Sequence, residues 1–208
     1  MIYELAIVAN ADANESLQNS LVAMVKEVVA ENEGTVLVED AWGLKTFAQP
    51  ALDGTKKGYY MYFMYKAGPN ANLEIARRLK INEGVQRHMV VKLGEDRFQE
   101  QLVKEYKTPL SKKHHGSVTD EDENREDKKL DKEKRRFTKR KGCWFTIRNI
   151  SADWKDPLTY GWLVNEFGKI SPARISGISR KHQRFANTAI KRARNLGISS
   201  HLSNRIAE

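Results

Sequence analysis

The sequence predicts an α+β protein in two parts: a βαββαβ sandwich, then, beyond a mobile charged linker, a small and mostly α-helical basic module. Three observations predict it. Strand-like and helix-like apolar periods alternate as far as residue 93, and that periodicity then dissolves into a run of mixed charge. The basic side chains also concentrate at one end. Residues 1–96 carry 10 basic and 13 acidic side chains, residues 97–133 carry 9 and 10, and residues 134–208 carry 17 and 4, giving local charges of −3, −1 and +13 within a total of +9.

The elements follow in order. "IYELAIVA" is a short apolar run rich in β-formers. In "ANESLQNSLVAMVKEVVAENEG", Leu17, Leu21, Met24, Val25 and Val28 recur at helical spacing and Gly34 supplies a stop. "TVLVEDAWGLKTFA" and "GYYMYFMYKAG" read as two strands joined through "QPALDGTKKG", whose Pro, Asp-Gly and Lys-Lys-Gly mark a hairpin loop. Helical spacing returns through Leu73, Ala76, Leu79 and Lys80, and "VQRHMVVKL" closes as a strand. This order is that of the ferredoxin-like sandwich, two helices on one face of a four-stranded antiparallel sheet. In the third strand Tyr59, Met61, Phe63 and Tyr65 face one side while Tyr60, Tyr62 and Met64 face the other. Only one face meets the helices, so the other needs a cover: bases, a partner protein or the rest of the chain.

Residues 97–134 form the expected linker. "SKKHHGSVTDEDENREDKKLDKEKRR" has Val118 and Leu130 as its only aliphatic residues, too little apolar surface to offset the entropy of ordering. Its evenly mixed charge marks it as a tether, giving an effective concentration on the order of millimolar for the two ends. The module at 135–208 begins with the basic "KRRFTKRKG" and the aromatic "CWFT". "DPLTYGWLVNEFGKI" predicts a helix capped by Asp156, with Pro157 first and Leu158, Trp162, Leu163 and Phe167 on roughly one face. "SPARISG" is a turn. In the last helix, "SRKHQRFANTAIKRARNLG", Phe185, Ala189, Ala193 and Leu196 form an apolar stripe with Ala186 and Ile190 beside it, and Arg180, Arg184, Lys191 and Arg194 fall outside it.

Composition narrows the function. No carboxylate falls between Phe167 and Ile206, whereas a merely solvated helix face mixes signs to gain i to i+4 pairs. Such a stretch calls for a polyanion, nucleic acid first. Cys143 is the single cysteine, so no internal disulfide forms, and it reads as packing rather than ligation. His114 and His115 have no Cys or carboxylate at ligand spacing, so neither metal nor cofactor is expected. There is no signal peptide or membrane-length apolar run, and the strand starting at Ile2 leaves no room for a transit peptide in the chain as given. No membrane partner is expected.

The run "GKISPARISGISRKHQRFANTAIKRARNLG" closely resembles the signature of bacterial small-subunit ribosomal protein eighteen, with its Gly-Lys-Ile, Pro-x-Arg-Ile-x-Gly, Lys-His-Gln-Arg and Ala-Ile-Lys-Arg-Ala-Arg elements in order. "KGCWFT" and "DWKDP" are similar to that family's segments upstream, extending the match over 135–197. The first part, through "YELAIVAN", "EDAWGLKTFAQP", "KKGYYMYF" and "LKINEGVQRHMVVKL", resembles bacterial small-subunit ribosomal protein six. The chain looks like a natural fusion of the two. After Gly197 the sequence "ISSHLSNRIAE" departs from the apolar ending of protein eighteen, and no role is carried onto it.

The resemblance implies a structural, non-enzymatic constituent of the small ribosomal subunit, working as a tethered version of a two-protein heterodimer. Its implied partners are the central domain of small-subunit ribosomal RNA, neighbouring small-subunit proteins and, by intramolecular docking, its own other half; proximity to the messenger RNA path is compatible with this position. The implied location is a ribosome of the cytoplasm, an organellar ribosome being compatible too. The expected RNA-binding residues are Arg135, Arg136, Lys139, Arg140, Lys141, Lys169, Arg174, Arg180, Lys181, His182, Gln183, Arg184, Lys191, Arg192 and Arg194. An RNA-recognition motif shares the βαββαβ order, but Tyr60, Met61 and Tyr62 stand where that motif wants a small residue, a stacking aromatic and Val. An acyl-phosphate hydrolase of this fold needs a phosphate-cradling loop with an Arg, and "NADANES" has neither Gly nor Arg. The remaining alternative is an RNA- or DNA-binding regulator that reads nucleic acid with the basic C-terminal helix.

Overall fold

The computed structural model describes residues 1–51, 54–106 and 142–207. The N-terminal part consists of β1 (Ile2–Asn10), α1 (Glu15–Glu31), β2 (Thr35–Thr46), β3 (Lys57–Lys66), α2 (Pro69–Ile81) and β4 (Val85–Gly94). All pairings are antiparallel and the strand order is β2-β3-β1-β4, the ferredoxin-like topology expected. Apolar spacing places Leu21, Val25, Val28 and Val29 of α1 in the core. Pro69 opens α2 at a position that needs no amide hydrogen. The buried stripe of α2 is Ala71, Ile75 and Leu79; Leu73, expected on that stripe, points to solvent because it lies two residues from either neighbour on the helical wheel.

Alternation divides each central strand between two cores. Tyr3, Leu5, Ile7 and Ala9 of β1 and Met61, Phe63 and Tyr65 of β3 pack under α1 and α2. Ile2, Ala6, Val8, Tyr60, Tyr62 and Met64 face the other way, where Phe145, Trp154, Tyr160, Leu163, Ile190 and Leu196 of the C-terminal part cover them. Both faces of β1 are therefore dry.

Residues 97–106, expected within the linker, are instead structured. Residues Gln99–Glu105 form helix α3 after a 3-10 turn, and Tyr106 stacks on Tyr62 at 4.7 Å between ring centroids. The Tyr106 hydroxyl donates to Asp40 Oδ2 at 2.6 Å and accepts from Trp42 Nε1 at 3.1 Å. Charge hid this segment, in which Leu102 and Tyr106 are the residues packed against the core. The rest of the linker expectation lies outside the described residues.

The C-terminal part contains α4 (Trp144–Ile147), two 3-10 turns at Pro157–Thr159 and Gly161–Leu163, α5 (Ala173–Ser176) and α6 (Arg180–Asn195). It is less helical than the sequence predicts. Asp156 does accept a hydrogen bond from the Leu158 amide, but the expected helix over 157–170 is replaced by the two turns and a bridge between Val164 and Ile170. Asn165 Oδ1 accepts from the amides of Phe167 and Lys169, and Gly168 takes a φ of 72°, a combination that makes a hairpin. A side chain at Gly168 would also strike the His201 carbonyl. Leu163 is buried, whereas Leu158, Trp162 and Phe167 are exposed.

At the centre of the covered face is a carboxylate. Glu4 is 2 % exposed, and it accepts hydrogen bonds from Trp154 Nε1 at 2.7 Å, Lys155 Nζ at 3.0 Å and the Tyr62 hydroxyl at 3.2 Å. Lys155 also pairs with Asp153 at 2.9 Å. Burial by itself would pull the Lys155 ammonium down, but Glu4 and Asp153 outweigh it and hold the group above its ordinary value. Burial first, and then the Glu4 charge, push the Tyr62 hydroxyl far above the usual phenol range. Glu4→Gln is expected to destabilise the chain by about 3 kcal/mol, the low end for breaking a buried pair, since Asp153 still faces the ammonium. Urea unfolding measures this, and adding Lys155→Met to Glu4→Gln should recover part of the loss.

Candidate nucleic-acid interface

Helix α6 is set by its own ends. Ser179 Oγ accepts from the His182 amide at its N-terminus, and the buried side is made of Ala186, Ala189, Ile190 and Ala193. These residues share one core with the aromatic sheet face. Phe185, expected in the core, is 45 % exposed: the buried face is rotated by one residue toward Ala186 and Ile190, which leaves the ring at its edge. The C-terminal carbonyls of α6, which have no partner within a helix, are completed by the N-terminal part. Tyr60 Oη donates to Leu196 O at 2.6 Å, Arg87 Nη1 to Asn195 O at 3.2 Å, and the Ala48 amide to Gly197 O at 2.9 Å.

The opposite side of α6 carries the cations. Arg180, Arg184 and Lys191 recur at i, i+4 and i+11, so they fall within about 40° of one another on a 3.6-residue helix, and with Lys181 they are exposed. Lys169 and Arg174 are exposed on the preceding segments. Other expected contacts are partly committed to the fold. Gln183 Nε2 donates to Ser171 O at 3.1 Å and to Asn187 Oδ1 at 2.9 Å. Arg192 is half-buried beside Phe185, in the 500 Å³ cleft between the two parts that Tyr106 and Lys155 also line. Arg194 turns inward: its Nε donates to Ser200 O at 3.1 Å and its Nη2 to Gly168 O. Burial lowers the Arg194 guanidinium somewhat, against a smaller opposite effect of Tyr160. It is therefore a fold residue, which corrects its placement among exposed cations. Arg135, Arg136, Lys139, Arg140 and Lys141 lie outside the described residues.

Comparison with known proteins matches both parts. The family model of ribosomal protein S6 covers residues 2–92 and that of ribosomal protein S18 covers residues 148–199. Small ribosomal subunit protein bS6 of Clostridioides difficile is 39% identical over 89 residues, which are 43% of this chain and 95% of that protein. Small ribosomal subunit protein bS18 of Geotalea uraniireducens is 48% identical over 68 residues, 32% of this chain and 75% of that protein. The chain belongs to both families, as an S6–S18 fusion. It is thus a small-subunit ribosomal protein, of families that are structural and not enzymatic. Among solved structures, 30S ribosomal protein S6 of Thermotoga maritima aligns with 50% of this chain and 96% of that one, at 17% identity and a TM-score of 0.43.

Within the S18 part, the cysteine has a partner. Cys143 Sγ lies 3.2 Å from His182 Nδ1, which is also 2.9 Å from Ser179 Oγ, and the His182 ring stacks on Phe145. Burial raises the Cys143 thiol, but hydrogen bonds from Ser179 and Thr146 outweigh it and bring the group down to about 6. His182 is thereby tied to the fold as well as to the start of the cationic face. Among the described residues no cluster of three or more His, Cys, Asp and Glu gathers to hold a metal, and no helix is long and apolar enough to cross a membrane.

Sequence reasoning missed three groups. Arg87 of the S6 part completes the C-terminus of the S18 helix and stacks over Phe47 at 5.2 Å, although neither an Arg in a strand nor its spacing announces this. The tail after Gly197 forms a bridge between Ser199 and Ile206 and presents Ser200 and His201 to Gln49 of the S6 part. Arg148 lies 5.0 Å from the centre of Trp144, beside a second tryptophan, Trp162.

Two measurements check these assignments. Arg194→Ala should destabilise by about 1.5–3 kcal/mol, the range for hydrogen bonds made by a charged group, while Arg184→Ala on the exposed side should leave the unfolding midpoint nearly unchanged. Because the Cys143 thiol is lowered to about 6, its thiolate is largely formed by neutral pH. The rate of iodoacetamide alkylation should therefore rise through pH 6 and level off above pH 7, instead of climbing toward pH 9 as for an ordinary thiol.

Proposed function

We propose that the chain binds the central domain of small-subunit ribosomal RNA as a one-chain version of a two-protein heterodimer, in a ribosome of the cytoplasm. The observation that carries this reading is the two-sidedness of α6. One side is alanine-lined and rests on the sheet, its C-terminal carbonyls taken up by Tyr60, Arg87 and Ala48, while the other presents Arg180, Lys181, Arg184 and Lys191 to solvent. These four, with Lys169, Arg174 and the basic run at 135–141, are the proposed phosphate ligands; His182, Gln183 and Arg192 contribute from the edge. The S6 part, at −3 over residues 1–96, has the wrong sign to bind RNA on its own. Its proposed role is to hold the S18 part in its binding conformation, and its proposed boundary is 106 rather than 96, since α3 and Tyr106 pack on the sheet.

The intact chain is titrated against a transcript of the central domain and, in competition, against duplex DNA over a salt series. Tight, steeply salt-dependent binding to the transcript with weak binding to the duplex is expected, and a preference for duplex DNA would favour a regulator and overturn the reading. Arg184→Ala and Lys191→Ala should each reduce the slope of log affinity against log salt by roughly 0.7–0.9, the change expected when one fewer phosphate is neutralised. Cleavage at a protease site introduced at 117–133 should make joint binding of the two halves depend on concentration, because the second docking step ceases to be intramolecular.

A further inference from the structure

At the edge of the aromatic cluster formed with Trp144 and Phe145, which pack in or against the core, the C-terminal part exposes Trp162, which neither packing nor the cationic face of α6 accounts for. Trp162 is 43 % exposed, and its Nε1 already donates to Thr159 O at 3.2 Å, so what it offers is a ring face rather than a hydrogen bond. Trp144 stands beside it at 5.4 Å between centroids and 56° between planes, an angle that keeps the two rings from closing flat on each other. The Arg148 guanidinium covers Trp144 at 5.0 Å, and Phe145 supports both rings from below, at 5.0 Å from Trp144 and 6.1 Å from Trp162. Phe145 is itself buried and stacks on His182 of α6, so the corner is continuous with the start of the cationic helix.

Burial accounts for Phe145 and for the half-buried Trp144, which packs against the core, but not for Trp162. Leu163, the neighbour of Trp162, is fully buried, so the 3-10 turn at Gly161–Leu163 turns Trp162 outward by geometry and not by fraying. An aliphatic patch would suit any apolar partner. This one is built of two indoles and a guanidinium, groups that attract a planar π system by stacking and by cation–π interaction. It also lies in the part of the chain with a charge of +13. We infer that the exposed face of Trp162, cornered by Trp144 with Arg148 over that second ring, is a stacking site for an unpaired RNA base. Satisfaction of the indole N–H by the protein makes the site tolerant of base identity: it holds a splayed-out nucleotide next to the phosphates that α6 neutralises.

The inference rests on the proposed RNA-binding function, and its test separates the two. The full chain is titrated with the central-domain transcript, comparing the native protein, Trp162→Ala and Trp162→Phe. Trp162→Ala should weaken binding by about 5- to 150-fold, the range for one stacked base. It should do so with the salt slope unchanged, because a neutral ring releases no counterion. Trp162→Phe should recover most of the affinity. In parallel, the native chain is irradiated on a transcript carrying 5-bromouridine, which does not depend on any variant folding; a crosslinked nucleotide is expected in the peptide that holds Trp144 or Trp162. Salt-dependent binding that is identical in Trp162→Ala, with no crosslink in those peptides, overturns the stacking site and leaves the function standing. Crosslinks from these tryptophans to a neighbouring protein in assembled subunits, and none to RNA, also overturn it. Absence of salt-dependent binding by the native chain overturns the function itself.

Discussion

Tyr60, Tyr62 and Met64 cannot be left in water, and the rest of the arrangement follows from that constraint. A four-stranded sheet with helices on one side ordinarily shows a polar second face, but here the two central strands are, apart from Glu4, apolar or aromatic on both. The S18 part supplies the missing layer. Trp42 stacks on Tyr60 and Tyr62, Tyr106 stacks on Tyr62 and Trp154 tilts against Trp42, so a run of rings spans the sheet, the end of α3 and the C-terminal part. Glu4 gives this dry layer its register. A buried carboxylate is tolerable only with its hydrogen bonds satisfied, and Trp154, Lys155 and Tyr62 satisfy them in one relative placement of the two parts.

The same constraint governs α6. A helix with this density of positive charge gains little from its own sequence, since no acid is present to pair with its cations. Its order comes from alanines packed on aromatic rings at one side and from Tyr60, Arg87 and Ala48 at its C-terminus. Arg194 locks the hairpin at Gly168 and the tail at Ser200 to the same end. The cations on the far side are thereby relieved of structural duty, while Arg194 is not. Charge counting treats all of these residues alike, which is why it overestimates the free cationic surface.

The errors in reading the elements have local causes. Over 157–170 the apolar spacing imitates a helix, yet Asn165 captures two amides and Gly168 adopts a left-handed conformation, and these side-chain and backbone preferences win over periodicity. Phe185 sits beside the stripe that its size suggests, because Ala186 and Ala189 occupy the contact, and Leu73 falls on the face of α2 opposite Ala71 and Ile75, from each of which it is two residues away. Tyr106 lies at the edge of a charged stretch, and one ring with a hydrogen bond to Asp40 suffices to hold it.

By itself the sequence determined the βαββαβ order, the two faces of β3, the separation of a basic module from a near-neutral sandwich and the kinship of each part, because these depend on periodicity, composition and short motifs that are local in the chain. Tertiary structure alone decided that the second face of the sheet is met by the S18 part, that a carboxylate at residue 4 pairs with a lysine at residue 155, that Arg87 finishes a helix ending at residue 195, and that Trp162 faces outward. Those outcomes join residues about a hundred or more positions apart, or turn on a rotation of a fraction of a helical turn. They are fixed by which groups can share one dry, hydrogen-bond-satisfied space, a condition that no single segment of the chain contains.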